Sequence, residues 1–117
     1  MSLTVVHVSG DEDRWRGQIN YLLRSSRIFS NIFCFDIEGM ERFLAEVGLR
    51  PTIVLVNYFV EKLGDGAGFA RKLKESGIPV IIIGADFVVG FNPRDECLTR
   101  VNLPSDLVPL IRRRLSL

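Results

Sequence analysis

The sequence contains a single histidine, two cysteines and one tryptophan in 117 residues. One histidine, His7, excludes a histidine-rich metal centre. Cys34 and Cys97 are too few for a disulfide framework and lack the spacing of a zinc site. No apolar run approaches the roughly 20 residues of a membrane-spanning helix. Charge of one sign is missing too: 15 Lys and Arg against 14 Asp and Glu leave +1, no broad field for gripping a nucleic-acid backbone. Arg112-Arg113-Arg114, the one basic cluster, reads as a solvated helix end where cations complement the dipole. Internal repeats and low-complexity tracts are absent. Neither G-x-x-x-x-G-K-[ST] nor G-x-G-x-x-G follows the first strand, and no nucleophile–base pair is visible. The N-terminus shows no basic segment leading into an apolar one. The expectation is one cytoplasmic domain spanning residues 1–117, touching neither membrane nor nucleic acid.

What is present is a core. Hydrophobic residues make up 47% of the chain and charged ones 25%, ordinary for a globular domain. The pattern alternates short β-branched runs with helical stripes. Leu3 to Val8, Ile32 to Phe35, the run Ile53 to Val56 ending at Asn57, and Pro79 to Ala85 read as strands, with a weaker edge strand over Cys97 to Val101. Between them Trp15, Ile19, Leu22 and Leu23 form one helical face, opened by Asp11-Glu12-Asp13. Met40, Phe43, Leu44 and Val47 form a second stripe, Phe69 and Leu73 a third, and Leu107, Leu110 or Ile111, and Leu115 a fourth. The last helix starts at Pro104-Ser105-Asp106, with Pro109 tolerated in or near its first turn. Five strands alternating with helices predict an α/β fold: a parallel five-stranded sheet between two helix layers, in the flavodoxin-like order 2-1-3-4-5. That order puts strands 2 and 5 at opposite edges, too far apart for a Cys34–Cys97 disulfide, so both thiols should be free.

The segment Pro51-Thr-Ile-Val-Leu-Val-Asn57, a loop ending in Asp65-Gly66, the helix from Phe69 to Lys74, and Ile78-Pro-Val-Ile-Ile-Ile-Gly84-Ala85 carry a family resemblance. Together with the overall layout they resemble the receiver domain of bacterial response regulators, the CheY-like family, over nearly the whole chain. The resemblance implies a role in two-component phosphorelay signalling, and it assigns positions. Active members hold a phosphoacceptor Asp where Asn57 stands and a Ser or Thr where Gly84 stands. They hold an acidic pair where Ser9-Gly10 stands and a Lys where Arg100 stands.

The framework matches and the reactive residues do not. An amide is a far weaker nucleophile than a carboxylate. Mg²⁺ wants carboxylate oxygens in near-octahedral array, and Asn57 with Ser9-Gly10 removes them, so Mg²⁺ binding is expected to be weak or lost. Gly84 has no hydroxyl, and the planar fork of Arg100 does not replace an ammonium. A register slip of two residues would bring Asp11 and Glu12 to the acidic positions but would not restore the nucleophile. The implied reading is a non-enzymatic pseudo-receiver that works by binding a protein partner. Its rivals are an active receiver phosphorylated at another carboxylate, such as Asp65 or Asp11, and a small-molecule or nucleotide binder on a flavodoxin-like sheet. Neither the partner nor the oligomeric state is fixed by the sequence.

Some side chains carry two readings. His7 lies inside a strand, where a buried side chain with a backbone partner is the ordinary expectation. Arg100 either holds an anion at the strand ends or pairs with an acid such as Asp11 or Asp65. Gly84 and Arg100 lie only sixteen positions apart, so the family's fourth helix is short or absent, and with it the dimer surface many members build there. Tyr58 and Phe59 leave strand 3, and Phe87 and Phe91 leave strand 4. These aromatics either fold back over core left bare by that helix or form an exposed patch for a partner.

Overall fold

Ile53–Asn57 is β-branched or apolar at every position but the last, and it is buried on both faces. A strand of this kind forms only where helices cover the sheet on either side. In the computed structural model, which describes residues 2–10, 13–48 and 50–117, that strand is β3. The other strands are β1 (Thr4–Val8), β2 (Asn31–Phe35), β4 (Val80–Ile83) and β5 (Cys97–Leu98). All pairings are parallel and the order is β2-β1-β3-β4-β5. The helices are α1 (Arg16–Ser26), α2 (Ile37–Glu46), α3 (Asp65–Glu75) and α4 (Leu103–Leu115). This is the flavodoxin-like architecture anticipated from the alternation of runs and stripes.

Strand residues two apart share a face, so the sheet divides the core in two. Val6, Val8, Val54, Val56, Val80 and Ile82 pack with α2 and α3. Val5, Ile53, Leu55, Ile81 and Ile83 pack with α1 and α4. Within the helices Ile19 and Leu23, Met40 and Phe43, Phe69 and Leu73, and Leu107, Leu110 and Ile111 are among the buried positions. Val47, assigned to the α2 stripe, lies beyond the helix and is exposed. Pro109 sits in the second turn of α4, not the first. It is tolerated because it and Ser105, whose carbonyl loses a donor, are both on the solvent side. Cys34 and Cys97 are both free thiols. Among the described residues no helix is long and apolar enough to cross a membrane.

Between β4 and β5 there is a loop and no helix. Its ordering comes from α3. Arg71 donates to the Val89 carbonyl at 2.9 Å, and Lys74 donates to the Gly90 carbonyl at 3.0 Å and to Glu96 at 2.8 Å. Glu96 accepts from Asn92 N at 2.8 Å, and the Asn92 side chain accepts from Arg94 N and Asp95 N, closing the turn on itself. The three C-terminal arginines are not idle cations. Arg114 donates to the Val80 and Asp95 carbonyls, Arg113 to Arg94 O and Asp95, and Arg112 to Ser26 O. At the β5 edge, against α4, a hollow of about 420 Å³ is lined by Pro93, Cys97, Leu98, Asn102, Pro109 and Leu110, among others.

The aromatic loops divide between the two roles. Phe91 is only 6% exposed and packs in the α2–α3 core. Arg71 and Lys74 stand over its ring, 5.7 and 4.9 Å from the centroid. Tyr58 is half-buried against the same core. Phe91 is therefore corrected from a partner-surface candidate to core cover, with Val88 buried beside it. Phe59, 50% exposed, and Phe87, 65% exposed, remain outward. Replacing Phe91 by Ala should destabilise the domain by about 3 kcal/mol in urea unfolding, the cost of emptying a buried phenyl site. Phe87→Ala should change stability by less than about 0.5 kcal/mol in the same assay.

Candidate functional site: a hydrogen-bonded amide at the carboxyl edge of the sheet

In an open parallel sheet the crevice at the strands' carboxyl ends is where ligands and chemistry sit. Here it is a cleft of about 620 Å³. Asn57 at the end of β3 forms its floor. Gly10 and Asp13 enter from the β1–α1 connection, Asp36 follows β2, Phe59 to Glu61 follow β3, and Arg14 and Arg100 supply the cations.

The Asn57 side chain is engaged at both ends. Its Oδ1 lies 2.8 Å from His7 Nε2, and its Nδ2 donates to Asp13 Oδ2 at 2.7 Å. The other Asp13 oxygen accepts from Trp15 N at 2.9 Å. The side chains of His7 and Asp13 are 3% and 4% exposed. With the amide nitrogen donating to Asp13, the amide oxygen must accept, so His7 carries its proton on Nε2. The result is a directional chain, imidazole N–H to amide oxygen and amide N–H to carboxylate. Burial pushes the His7 pKa below its usual 6.5, against the opposing pull of Asn57 and Asp13, so the ring is neutral.

The other sequence-assigned residues fall into separate places. Ser9 is fully buried, and its hydroxyl accepts from Arg16 Nε at 3.0 Å and lies 3.4 Å from Cys34 Sγ. Arg16 also donates to the carbonyls of Ser9 and Gly10, so the segment at the acidic-pair positions is fastened to α1. Gly10 is needed for packing: a Cβ there would overlap the Val60 carbonyl. Asp65 does not reach the cleft floor. Its carboxylate accepts from the backbone N–H groups of Val60, Glu61 and Lys62 at 2.9 to 3.0 Å and ties up the loop it ends. Burial alone would raise its pKa, but those N–H groups, with that of Gly66, hold it below the usual value. Gly66 has no room for a Cβ against the Asn57 carbonyl, which seats the N-terminus of α3 directly behind the amide. Asp11 lies outside the described residues.

Arg100 is in a single 3₁₀ turn, Arg100–Asn102. It does not pair with Asp65, correcting that expectation. Its Nε is buried without a hydrogen-bond partner, and the guanidinium lies across Gly84, 3.4 Å from where a Cβ would be. Gly84 itself has φ +96°, a conformation that disfavours any side chain. The place of the family's hydroxyl is thus roofed by an arginine. Among the described residues no trio of His, Cys, Asp and Glu is arranged to hold a metal ion.

Sequence reasoning did not identify Asp13, Arg14, Asp36 or Glu61 as parts of the cleft, nor His7 as the buried partner beneath Asn57. Asp13 was assigned with its neighbours to the first helical turn, yet α1 begins at Arg16 with no acid in that turn. Asp36 had a usable signal, since it directly follows a strand at the carboxyl edge. His7 was expected to find a backbone partner; it finds a side chain fifty residues away.

Because His7 stays neutral in the fold and ionises when unfolded, the unfolded state binds more protons below pH 6.5. Stability should be level above that pH and fall as pH drops toward the lower folded value. Urea midpoints should show this slope, and His7→Gln should remove it. The further loss at more acid pH, where Asp65 and Glu96 with their lowered pKa values are protonated, should persist in that variant.

No family model and no curated protein matches the chain. Among solved structures it is similar to the MaeR response regulator bound to beryllium trifluoride, at 19% identity and a TM-score of 0.53, covering 98% of this chain and 78% of that one. At that identity the likeness shows the fold alone, the parallel five-stranded α/β architecture described above.

Proposed function

We propose that the chain is a receiver-like module of two-component signalling that neither accepts a phosphoryl group nor needs Mg²⁺, has no enzymatic activity, and acts in the cytoplasm by binding a protein partner. The observation that carries this reading is the double engagement of Asn57. Only a side chain that accepts at one end and donates at the other satisfies His7 and Asp13 together. A carboxylate at position 57 would put two carboxylates oxygen to oxygen at hydrogen-bond distance, where one must be protonated. The cleft is therefore fitted to an amide. Its donor set suits a metal poorly: both Asp13 oxygens already accept hydrogen bonds and Asp36 Oδ1 caps Gly39 N, beside the guanidinium of Arg100. Phosphorylation at Asp65 is disfavoured as well, since its oxygens are taken by three backbone donors. Phe59 and Phe87, both exposed on loops that leave the carboxyl edge, are the proposed partner contacts.

Incubation with acetyl phosphate and Mg²⁺ should give no added mass in intact-protein mass spectrometry. A stoichiometric adduct overturns the reading. Asn57→Asp should cost about 2 kcal/mol of stability at neutral pH, because a buried donor becomes a like charge facing Asp13. The variant should show no saturable beryllofluoride binding by fluorine NMR.

A further inference from the structure

A charged side chain with a buried, unsatisfied donor is expensive, and a protein retains one where something else completes it. Arg100 is such a residue. Its Nε has no partner, none of the ion pairs among the described residues involves it, and its guanidinium lies on bare Gly84 backbone at the wall of the cleft. Arginine's planar fork matches a two-oxygen anion, taken along the Nε–Nη edge.

We propose that the cleft is a non-covalent binding site for a small-molecule carboxylate, held by Arg100 with Arg14 at the rim. The anion would draw the guanidinium off Gly84 and satisfy the donor now buried without one. The cleft volume of about 620 Å³ suits a small ligand. The wall chemistry bears on the anion: among the described residues that line the cleft, Asp13, Asp36 and Glu61 stand with Arg14 and Arg100, three carboxylates beside two guanidinium groups. A doubly charged phosphate feels that excess twice, whereas a carboxylate feels it once and loses no hydrogen-bond geometry.

The inference rests on the reading of the cleft as non-phosphorylating. The two fail separately: an acetyl phosphate mass adduct sinks that reading, while the assay below uses no phosphoryl donor. The protein, ¹⁵N-labelled, is titrated with acetate against chloride at constant ionic strength, following the arginine Nε–H and asparagine side-chain resonances by NMR. One arginine Nε–H signal should move saturably, together with the Asn57 amide, and inorganic phosphate should bind more weakly. Arg100→Gln should weaken acetate binding by at least about tenfold. Should that variant unfold, Arg100→Lys, which keeps the charge and loses the fork, should still bind but more weakly. Absence of saturation, an equal response in Arg100→Gln, undiminished affinity in Arg100→Lys, or a preference for phosphate each overturns the assignment.

Discussion

The interaction on which the carboxyl edge depends is a relay of two hydrogen bonds through one amide. His7 on β1 and Asp13 before α1 approach to 4.0 Å, His7 Nε2 to Asp13 Oδ2. Asn57 bridges them from the side and bonds to both. The His7 link is buried and the Asp13 link partly so, and the low local polarity that strengthens a satisfied network also makes a broken link costly. The amide thereby fixes how the β1–α1 connection lies against β3. Gly66 closes the assembly from behind by letting α3 approach the Asn57 carbonyl.

Around that relay, charge has been redistributed more than removed. Acids remain near the edge, as Asp13, Asp36 and Glu61, but they arrive from different elements than the receiver resemblance assigns. Where the family's acidic pair stands, a hydroxyl and two carbonyls are held by Arg16. Where a hydroxyl would stand, glycine and the flat of a guanidinium take its place. Most of the polar groups at this edge are directed at one another, with the Arg100 Nε as the exception.

The fold was legible because double-sided burial writes continuous β-branched runs such as Ile53 to Val56, and the helices between them carry clear inward stripes. Ile19 with Leu23 and Phe69 with Leu73 are read directly from spacing. The site was legible only in its skeleton. Asn57, Gly84 and Arg100 could be placed because each ends or follows a strand. Asp13 could not, since a carboxylate three residues ahead of a helix looks the same in sequence whether it faces the first turn or a distant amide. The split between Phe59 and Phe91 was equally hidden. Both are aromatic loop residues, and what separates them is that α3 offers Arg71 and Lys74 to cover one ring.

The hollow at the β5 edge has a geometric corollary. A surface that pairs with its own copy about a two-fold axis must complement itself, each bump meeting a dent. A hollow lying off that axis can receive a projection from elsewhere on the same face, so the concavity bounded by Pro93, Leu98 and Pro109 opposes self-pairing only where it would sit on the axis itself.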